Sequence, residues 1–430
     1  MSSQGDWQLC DWLEFIESVH PRTIDLSLDR VRRVLHCLAP VYPSIIITVG
    51  GTNGKGTTAA MLDAVYRSAG YRVGTYTSPH LVDYGERIKV SGKSSSAERL
   101  CQAFQAVDAA RGTIPLTYFE FGTLAAFKLF SKARLDIWIL EVGMGGRLDA
   151  VNAVDPDLAV ITSIDLDHQA WLGDSRDAIG REKAGILRYR GRAIVSDPNP
   201  PRSVLDRLAV LQCDWRLSDR DFAVKADQRK TFFSSGGPNW HRRSFLEQFE
   251  VNPGSPVQTR NLAGALAAVR SLEESLPVGP EHVDALRGLA VRGRQERIDG
   301  EIPIWLDVGH NLEAVAALAE ALCNEYVPGK TRAVFAMLRD KDIGAAIEVM
   351  RPVVDYWYPV TLEDDRALTF EELQSALTDS AVIDSPEGQT PRARYRAALA
   401  ASRHGDRLVV FGSFYLVGDI LPEVSERAVA

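Results

Sequence analysis

Residues 49–57 combine the residue types that bind phosphate groups, in the order Val-Gly-Gly-Thr-Asn-Gly-Lys-Gly-Thr. Glycines let the backbone approach an anion, Lys55 can reach the outer phosphates of a nucleotide, and Thr57 can present a hydroxyl to magnesium or phosphate. The segment is a variant of G-x-x-x-x-G-K-[ST], because Val49 takes the place of the first glycine and Gly56 separates Lys55 from Thr57. These residues predict nucleotide binding, against the alternative of a plain glycine turn with a surface lysine.

Three further polar residues stand where a metal ion could lie beside the phosphates. Glu141 ends an apolar run, and the carboxyl ends of parallel strands are where open α/β sheets bind ligands. His168 comes soon after the next apolar run, and Ser78 follows a shorter one. Because magnesium prefers oxygen ligands, His168 fits either a metal ligand or a hydrogen-bonded structural histidine. Ser78 likewise fits either a ligand or a turn residue.

The elements that must position these residues alternate between apolar runs and helical patterns. Strands are predicted at 45–49, 137–142, 158–164 and 193–195, and helices at 57–69, 121–133, 176–184 and 261–272. This alternation predicts an α/β fold, with a mostly parallel sheet that carries the phosphate loop, or P-loop. A second series of runs, at 302–308, 332–337, 353–360 and 408–411, predicts a smaller Rossmann-like α/β domain. We expect domains at 1–296 and 297–430, and interpret 197–256 as irregular decoration with some strand character.

The composition excludes several classes of protein. A net charge of −8 and a pI near 5.6 argue against binding to nucleic acid, which needs a basic surface. The apolar runs are far shorter than the roughly 20 residues that span a bilayer, and the first eleven residues lack a secretory pattern. The five scattered cysteines form no C-x-x-C pair and are typical of reduced thiols. We therefore expect a cytoplasmic protein with neither nucleic-acid nor membrane partners. We also expect a monomer, although no sequence feature determines the oligomeric state.

A series of short stretches along the chain carries a family resemblance. In the first part of the chain these stretches are 51–57, 77–81, 141–150, 167–168 and 182–186. In the second part they are Asn261, 293–294, 307–311, 340–342 and 412–414. Together they resemble the folylpolyglutamate synthase and dihydrofolate synthase family, a branch of the Mur-ligase superfamily of ATP-dependent amide-forming ligases. The resemblance covers nearly the whole chain, and its departures at Val151, Arg292 and Gly309 remove no proposed ligand or phosphate contact.

The resemblance implies a site for ATP, two magnesium ions and L-glutamate. The nucleotide, clamped between the two domains, would be bound by Thr52, Asn53, Gly54, Lys55, Gly56, Thr57, Asn261, Arg294 and Asp307. Ser78 and Glu141 would hold one Mg²⁺ and His168 a second. Lys183 would be carried as a carbamate, which turns a cation into an anionic oxygen ligand. His310 and Ser413 would contact glutamate.

The resemblance also implies the residues that bind the acceptor, dihydropteroate or a folate. They are Thr23, Ile24, Asp25, Thr117, Tyr118, Phe119, Glu120, Leu148, Asp149 and Ala150. Without the family context, Tyr118 and Phe119 fit core aromatics at the start of a helix. On spacing alone, Lys183 fits a lysine on a helix surface.

The implied reaction adds L-glutamate to dihydropteroate, forming dihydrofolate, and to reduced folates, forming polyglutamates, through an acyl phosphate. Catalysis would rest on positioning and on charge neutralisation by Lys55 and Mg²⁺. One alternative is a monofunctional folylpolyglutamate synthase. Another is a UDP-muramyl amino-acid ligase, against which the segment 118–120 and the lack of a UDP-binding domain argue. A third is a nucleotide-dependent binding protein that ligates nothing, which leaves the nucleotide-approaching residues of the second domain without a purpose.

Replacing Lys55 by alanine should leave the fold intact and remove the ADP release that depends on pteroate or folate plus glutamate. Losing one preorganised group that neutralises developing charge lowers a rate on the order of 10²- to 10³-fold or more. ADP production with and without acceptor measures the effect, and far-UV circular dichroism controls for folding. Undiminished turnover in the variant contradicts the role assigned to Lys55.

Overall fold

The computed structural model describes residues 7–227, 230–236, 250–251, 256–378, 380–383 and 388–429. The chain divides into two compact units. The first unit comprises Met1–His80, Tyr84–Pro253 and Gln258–Leu289, and the second comprises Leu81–Asp83, Gly254–Val257 and Ala290–Ala430. The boundary expected after residue 296 stays a prediction. Among the described residues, no helix combines the length and apolar character needed to cross a membrane.

The first unit is built on an eight-stranded sheet. Its strands are β1 (Ile45–Gly50), β2 (Val73–Tyr76), β3 (Ile88–Val90), β4 (Lys93–Ser94), β5 (Ile137–Glu141), β6 (Leu158–Ile161), β7 (Arg192–Val195) and β8 (Asp214–Leu217). Their order is β4-β3-β2-β5-β1-β6-β7-β8. Six strands pair in parallel, whereas β3 and β4 add an antiparallel edge. The predicted, mostly parallel sheet is confirmed.

Helices cover both faces of this sheet. They are α1 (Leu9–Val19), α2 (Asp29–Leu38), α3 (Lys55–Ser68), α4 (Ala97–Arg111), α5 (Tyr118–Ala133), α6 (Gln169–Leu172), α7 (Arg176–Lys183), α8 (Arg202–Val210), α9 (Pro256–Ser271) and α10 (Pro280–Val283). Successive strand residues point to opposite faces, so Ile46 and Trp138 join one hydrophobic core while Ile47 and Ile139 join the other. The central strands are apolar throughout because both faces are buried.

The second unit repeats this architecture on a smaller scale. Its strands are β12 (Glu296–Ile298), β13 (Ile304–Asp307), β14 (Thr331–Phe335), β15 (Tyr356–Pro359) and β16 (Arg407–Phe411), in the order β12-β13-β16-β14-β15. All pairs are parallel except β12 with β13. Its helices are α11 (Leu312–Asn324), α12 (Ile343–Met350), α13 (Phe370–Ala376), α14 (Pro391–Ala400) and α15 (Phe414–Val429). The predicted second α/β domain is confirmed as a fold.

The interpretation of residues 197–256 as irregular decoration is wrong in part. Strand β8 extends the main sheet by pairing in parallel with β7. Helix α8 packs into the core through Val204 and Leu208, which lie one turn apart on the same helix face. The strand character is confirmed by a small sheet of β9 (Phe222–Asp227), β10 (Lys230–Ser235) and β11 (Glu250–Val251). The remainder of this segment, 228–229, 237–249 and 252–255, lies outside the described residues.

Several predicted element boundaries also shift. Helix α5 begins at Tyr118 rather than 121, because Thr117 and Glu120 form a capping box in which each side chain accepts the other's backbone N–H. Strand β6 ends at Ile161, where the chain turns towards the phosphate loop. Strand β15 starts only at Tyr356, because residues 351–353 still form a turn after α12.

Replacing Trp138 by alanine should lower the free energy of unfolding of the first unit by about 3–5 kcal/mol. Trp138 is fully buried and stacks on Phe127 with a centroid distance of 5.5 Å. Trp171, which is 50% exposed, provides a control of the same residue type. Its replacement by alanine should change stability by no more than about 0.5 kcal/mol. Urea denaturation of the three proteins compares them, and equal losses for both variants contradict this packing.

Candidate active site

The phosphate loop joins β1 to α3 at the carboxyl edge of the first sheet. Gly54 precedes the helix with a φ of 84°, a left-handed conformation that favours glycine, and it supplies no side-chain cap. The first-turn amides of a helix have no intrahelical partner, which makes the start of α3 suited to an anion. A Cβ atom on Gly54 would lie 2.1 Å from Oδ1 of Asn261. Asn261, predicted from the resemblance, therefore lies against this loop.

Backbone and hydroxyl groups after β6 hold the loop in place. The Thr52 N–H donates to the Ser163 carbonyl at 2.6 Å, and the Asn53 N–H donates to Ser163 Oγ at 3.2 Å. The Thr52 hydroxyl donates to the Asp165 carbonyl at 3.1 Å and accepts from the Asp165 N–H at 3.0 Å. Lys55 Nζ donates to the Thr52 carbonyl at 3.0 Å. Ser163 and Asp165 were not predicted as site residues, because all these contacts except that of Ser163 Oγ use their main-chain atoms, which leave little signal in a sequence.

Glu141 brings the end of β5 to the same place. Its side chain is buried, and Oε2 accepts a hydrogen bond from the Ser78 N–H at 3.1 Å. A Cβ atom on Gly56 would lie 3.4 Å from the same oxygen, so the phosphate loop borders this carboxylate. The structure thus brings Glu141, Ser78 and the loop together, and the roles of Glu141 and Ser78 as metal ligands stay predictions.

The donor set fits magnesium accompanied by a polyphosphate. Across the part of the chain that the structure describes, no three His, Cys, Asp or Glu side chains cluster closely enough to hold a metal ion by themselves. A carboxylate and a hydroxyl beside a phosphate loop instead suit Mg²⁺, which keeps several waters and shares phosphate oxygens. Glu141 and Ser78 would hold it, and the ion would neutralise charge on the phosphates.

His168 lies at the start of α6 in a left-handed conformation, with a φ of 50°. Its side chain is 41% exposed, and Nε2 lies 3.8 Å from Oδ2 of the nearly buried Asp167. Asp167 also accepts the His168 backbone N–H at 2.8 Å. The imidazole therefore lies near a carboxylate at the carboxyl edge of the sheet. Its role as a metal ligand stays a prediction.

Lys183 and Asp149 place buried charges behind the phosphate loop. Lys183 Nζ donates to the Gly51 carbonyl at 2.7 Å, and burial, followed by the charge of Lys55, lowers its pKa to about 7. Burial raises the pKa of Asp149 to about 7, opposed by backbone N–H groups that include those of Met144 and Val151, both at 2.9 Å. Lys183 is therefore a buried amine at the site rather than a helix-surface lysine.

The aromatic residues of the predicted acceptor segment lie at the start of α5. The Arg87 guanidinium lies 5.4 Å from the ring centroid of Tyr118. Phe119 packs over Gly143, where a Cβ atom would lie 2.6 Å from its ring. Gly143 follows Glu141 by two residues, so the Phe119 ring lies close to the end of β5. Tyr118 and Phe119 are both only partly buried, in contrast to the core residue Phe121.

The remaining acceptor residues have different environments. Glu120 is buried, and its carboxylate accepts from the Thr117 N–H at 2.8 Å and from two nitrogens of Arg30. Asp149 caps a 3₁₀ turn, Ala150–Ala153, preceded by the partly buried Leu148. Thr23, Ile24 and Asp25 lie in an irregular loop between α1 and α2, with Thr23 exposed.

The predicted residues of the second unit gather at the carboxyl ends of β13 and β16. Asp307 is buried and accepts the backbone N–H groups of Gln295 at 2.8 Å and Gly309 at 2.6 Å. Burial raises its pKa, opposed by the charge of Arg294. The Arg294 guanidinium lies 4.9 Å from the ring centroid of Phe414, a residue that was not predicted.

His310 and Ser413 lie at the same carboxyl edge of the second sheet. His310 Nδ1 donates to the Val308 carbonyl at 2.9 Å, and its ring centroid lies 6.1 Å from that of Phe414. Ser413 is buried just after β16, and its hydroxyl accepts the Tyr415 N–H at 3.2 Å. Polar groups from two strand ends thus lie at one edge of the second sheet.

Comparison with known proteins identifies the class first. Residues 49–214 match the family described as Mur ligase middle domain, and residues 293–414 match the family described as Mur ligase, glutamate ligase domain. The two α/β units and the phosphate loop therefore define an ATP-dependent ligase of the Mur class.

Individual relatives identify the family within this class of ligases. The chain is 39% identical to a dihydrofolate synthase/folylpolyglutamate synthase of Escherichia coli (strain K12), over 97% of this chain and 96% of that protein. It is 37% identical to a protein of the same name from Haemophilus influenzae, over 96% of each. Its fold is similar to that of E. coli FolC in complex with DHPP and ADP, with a TM-score of 0.90, 36% identity and coverage of 99% and 100%. The chain belongs to the dihydrofolate synthase/folylpolyglutamate synthase family.

Replacing Glu141 by glutamine should raise the Mg²⁺ concentration needed for half-maximal activity on the order of tenfold or more. Glutamine keeps an oxygen for the Ser78 N–H but removes the negative charge. Asp157→Asn is the matched control, because Asp157 also accepts a backbone N–H, that of Ile46 at 2.7 Å, but at the opposite edge of the sheet. Magnesium titrations of the ligase reaction measure both variants. An unchanged requirement in Glu141→Gln excludes this carboxylate as a ligand.

Proposed function

We propose that the chain is an ATP- and magnesium-dependent ligase that adds L-glutamate to dihydropteroate and to reduced folates. The observation that carries the proposal is the convergence of the phosphate loop, Glu141, Ser78 and Lys183 in a chain similar to bifunctional synthases over nearly its full length. A structure similar in fold, with a TM-score of 0.88, is that of a bifunctional folylpolyglutamate synthase/dihydrofolate synthase with Mn, AMPPNP and L-glutamate bound. The nucleotide analogue and the L-glutamate bound there correspond to the ATP and L-glutamate proposed as substrates here, and Mn corresponds to the proposed Mg²⁺.

The reaction has two bond-exchange steps. An oxygen of the acceptor carboxylate bonds to the γ-phosphorus of ATP as the bond to ADP breaks, giving an acyl phosphate. The amine of glutamate then bonds to the acyl carbon, phosphate leaves with the C–O electron pair, and the amine loses a proton. Lys55 and the amides at the start of α3 stabilise the charge on the phosphates during the first step. No protein nucleophile is required.

Lys183 suits conversion to a carbamate. Only a neutral amine combines with CO₂, and burial lowers the pKa of Lys183 to about 7, so a neutral form is populated near neutral pH. Addition of CO₂ to the neutral amine would form an N–C bond, release one proton to solvent and leave an anion beside the phosphate loop, where Mg²⁺ would offset the negative charge. The geometry that favours this is the enclosed amine, hydrogen-bonded to the Gly51 carbonyl. As a carbamate, Lys183 would offer oxygen atoms to the metal held with His168.

The acceptor site is assigned from partly exposed aromatic rings, and the glutamate site from polar groups at one edge of the second sheet. Tyr118 and Phe119 offer ring surfaces at the start of α5, where a flat pterin would stack. In the second unit, His310 and Ser413 would bind glutamate, while Arg294 and Asp307 would bind the nucleotide. Asn261 would bind the nucleotide from the first unit, because it already lies against Gly54.

Incubation with ATP, Mg²⁺ and L-glutamate, supplying dihydropteroate and tetrahydrofolate separately, tests the proposed function. Phosphate release and product mass should show one added glutamate with dihydropteroate and one or more with the folate. Two controls, D-glutamate in place of L-glutamate and the Lys55→Ala variant, should give neither phosphate release nor product.

The pattern of products separates the alternatives. Product with the folate alone identifies a monofunctional folylpolyglutamate synthase. Turnover that requires a UDP-muramyl acceptor moves the chain to the cell-wall ligases and overturns the proposal. Nucleotide binding without any product supports the non-ligating alternative.

A further inference from the structure

The loop between α1 and α2 carries three predicted acceptor residues and has few contacts of its own, among them His20 Nε2 at 3.5 Å from the Asp25 carboxylate. Residues 20–28 form neither helix nor strand. Helix α2 begins without a side-chain cap on Leu28. A loop of this kind keeps a defined position only through contacts with more rigid elements. The residues that make those contacts therefore decide where Thr23, Ile24 and Asp25 lie.

Arg30, in the first turn of α2, makes these contacts from one guanidinium group. Nη2 donates to the Asp25 carbonyl at 2.9 Å, and Nη1 lies 3.3 Å from the Asp25 carboxylate. Nη2 also donates to Glu120 Oε1 at 2.9 Å, and Nε donates to Glu120 Oε2 at 3.3 Å. One side chain thus joins the loop to the start of α5. A planar fork with several fixed donors is needed for this pattern, which lysine cannot reproduce.

The Glu120 carboxylate is already engaged in this arrangement. Its side chain is 5% exposed, and both oxygens accept from Arg30. One of them also accepts the Thr117 N–H, which completes the capping box of α5. The same helix start presents Tyr118 and Phe119. Glu120 is therefore better suited to fixing the acceptor segment than to contacting the acceptor itself.

From this geometry, and resting on the proposed function, we propose that Arg30 is a positioning residue for the acceptor. Through Asp25 and Glu120 it sets the separation between residues 23–25 and the aromatic pair at the start of α5. The acceptor's fused-ring head group would bind between these two segments. Arg30 would act on the affinity for dihydropteroate and folates, and it would leave the nucleotide and glutamate sites unaffected.

Steady-state kinetics of Arg30→Gln and Arg30→Lys test the proposal. Arg30→Gln should raise the KM for dihydropteroate and for tetrahydrofolate by about tenfold or more, because displaced binding segments fit the same ligand poorly. Arg30→Lys keeps the charge beside Glu120 but loses the fork, so its KM should lie between those of Arg30→Gln and the unaltered chain. The KM values for ATP and L-glutamate should stay within about twofold in both variants.

Arg111→Lys is the matched control. Arg111 is similarly buried, with a 13% exposed side chain, and pairs with Asp108 at 2.5 Å within α4, so its loss should move no KM. Unchanged acceptor KM values in both Arg30 variants overturn the proposal. So does an equal change in the KM values of all three substrates, since that pattern reports general damage. If Arg30→Gln does not fold, Arg30→Lys alone decides between these outcomes.

Amide hydrogen exchange separates this proposal from the proposed function. Exchange at residues 21–28 should accelerate in Arg30→Gln, with no change in α4, whether or not the chain is a ligase. Unaltered exchange in that loop overturns the tethering role directly. Absence of acceptor-dependent phosphate release by the unaltered chain counts instead against the proposed function. Combining Arg30→Gln with Glu120→Gln should add little to the effect of either change, because both remove one contact.

Discussion

The candidate site depends on the hydrogen bonds that fasten the phosphate loop to the chain after β6. Without these hydrogen bonds, Thr52 and Asn53 would lie in an unsupported glycine-rich turn. Such a turn has high conformational entropy, which opposes a single fixed conformation. The backbone of Ser163 and Asp165 supplies a rigid counterpart at the next strand end. Because β5 lies on the other side of β1, Glu141 and Ser78 reach the same loop from the opposite direction. The order of the strands is therefore what creates the site.

Buried charged groups determine the electrostatics of the region around the phosphate loop. Lys183 and Asp149 are removed from water in the same part of the first unit, and the pKa of each is displaced towards neutrality in the opposite sense. The charges of Asp167 and Asp149 oppose the lowering of the Lys183 pKa, while the charge of Lys55 adds to it. A low-dielectric setting strengthens every electrostatic contact made there. Such a setting is costly for an isolated charge and favourable once a charged ligand balances it.

Much of this arrangement is encoded in local sequence. The apolar strands β1, β5 and β6, and the polar residues that follow them, are recognisable because parallel strands buried on both faces are apolar throughout and their carboxyl ends are not. The strand β8 was missed because prolines at 198, 200 and 201 suggested an irregular segment. The capping box of Thr117 and Glu120 has the spacing that marks a helix start, although the sequence pattern predicted this helix only from residue 121. The role of Arg30 was not identifiable from the sequence, because its partners Asp25 and Glu120 lie 5 and 90 residues away along the chain. An arginine by itself indicates only a surface position.

The enclosed glycines of the phosphate loop constrain how such a chain can change. Gly51 and Gly54 have positive φ angles, and a Cβ atom on either would collide with Thr162 or Asn261. Every amino acid that one base substitution can produce from a glycine codon carries a Cβ atom. Mutations in related proteins therefore cannot replace either glycine alone while Thr162 and Asn261 keep their positions. Loss of the loop, or coordinated replacement of a glycine and the side chain that faces it, are the routes left open.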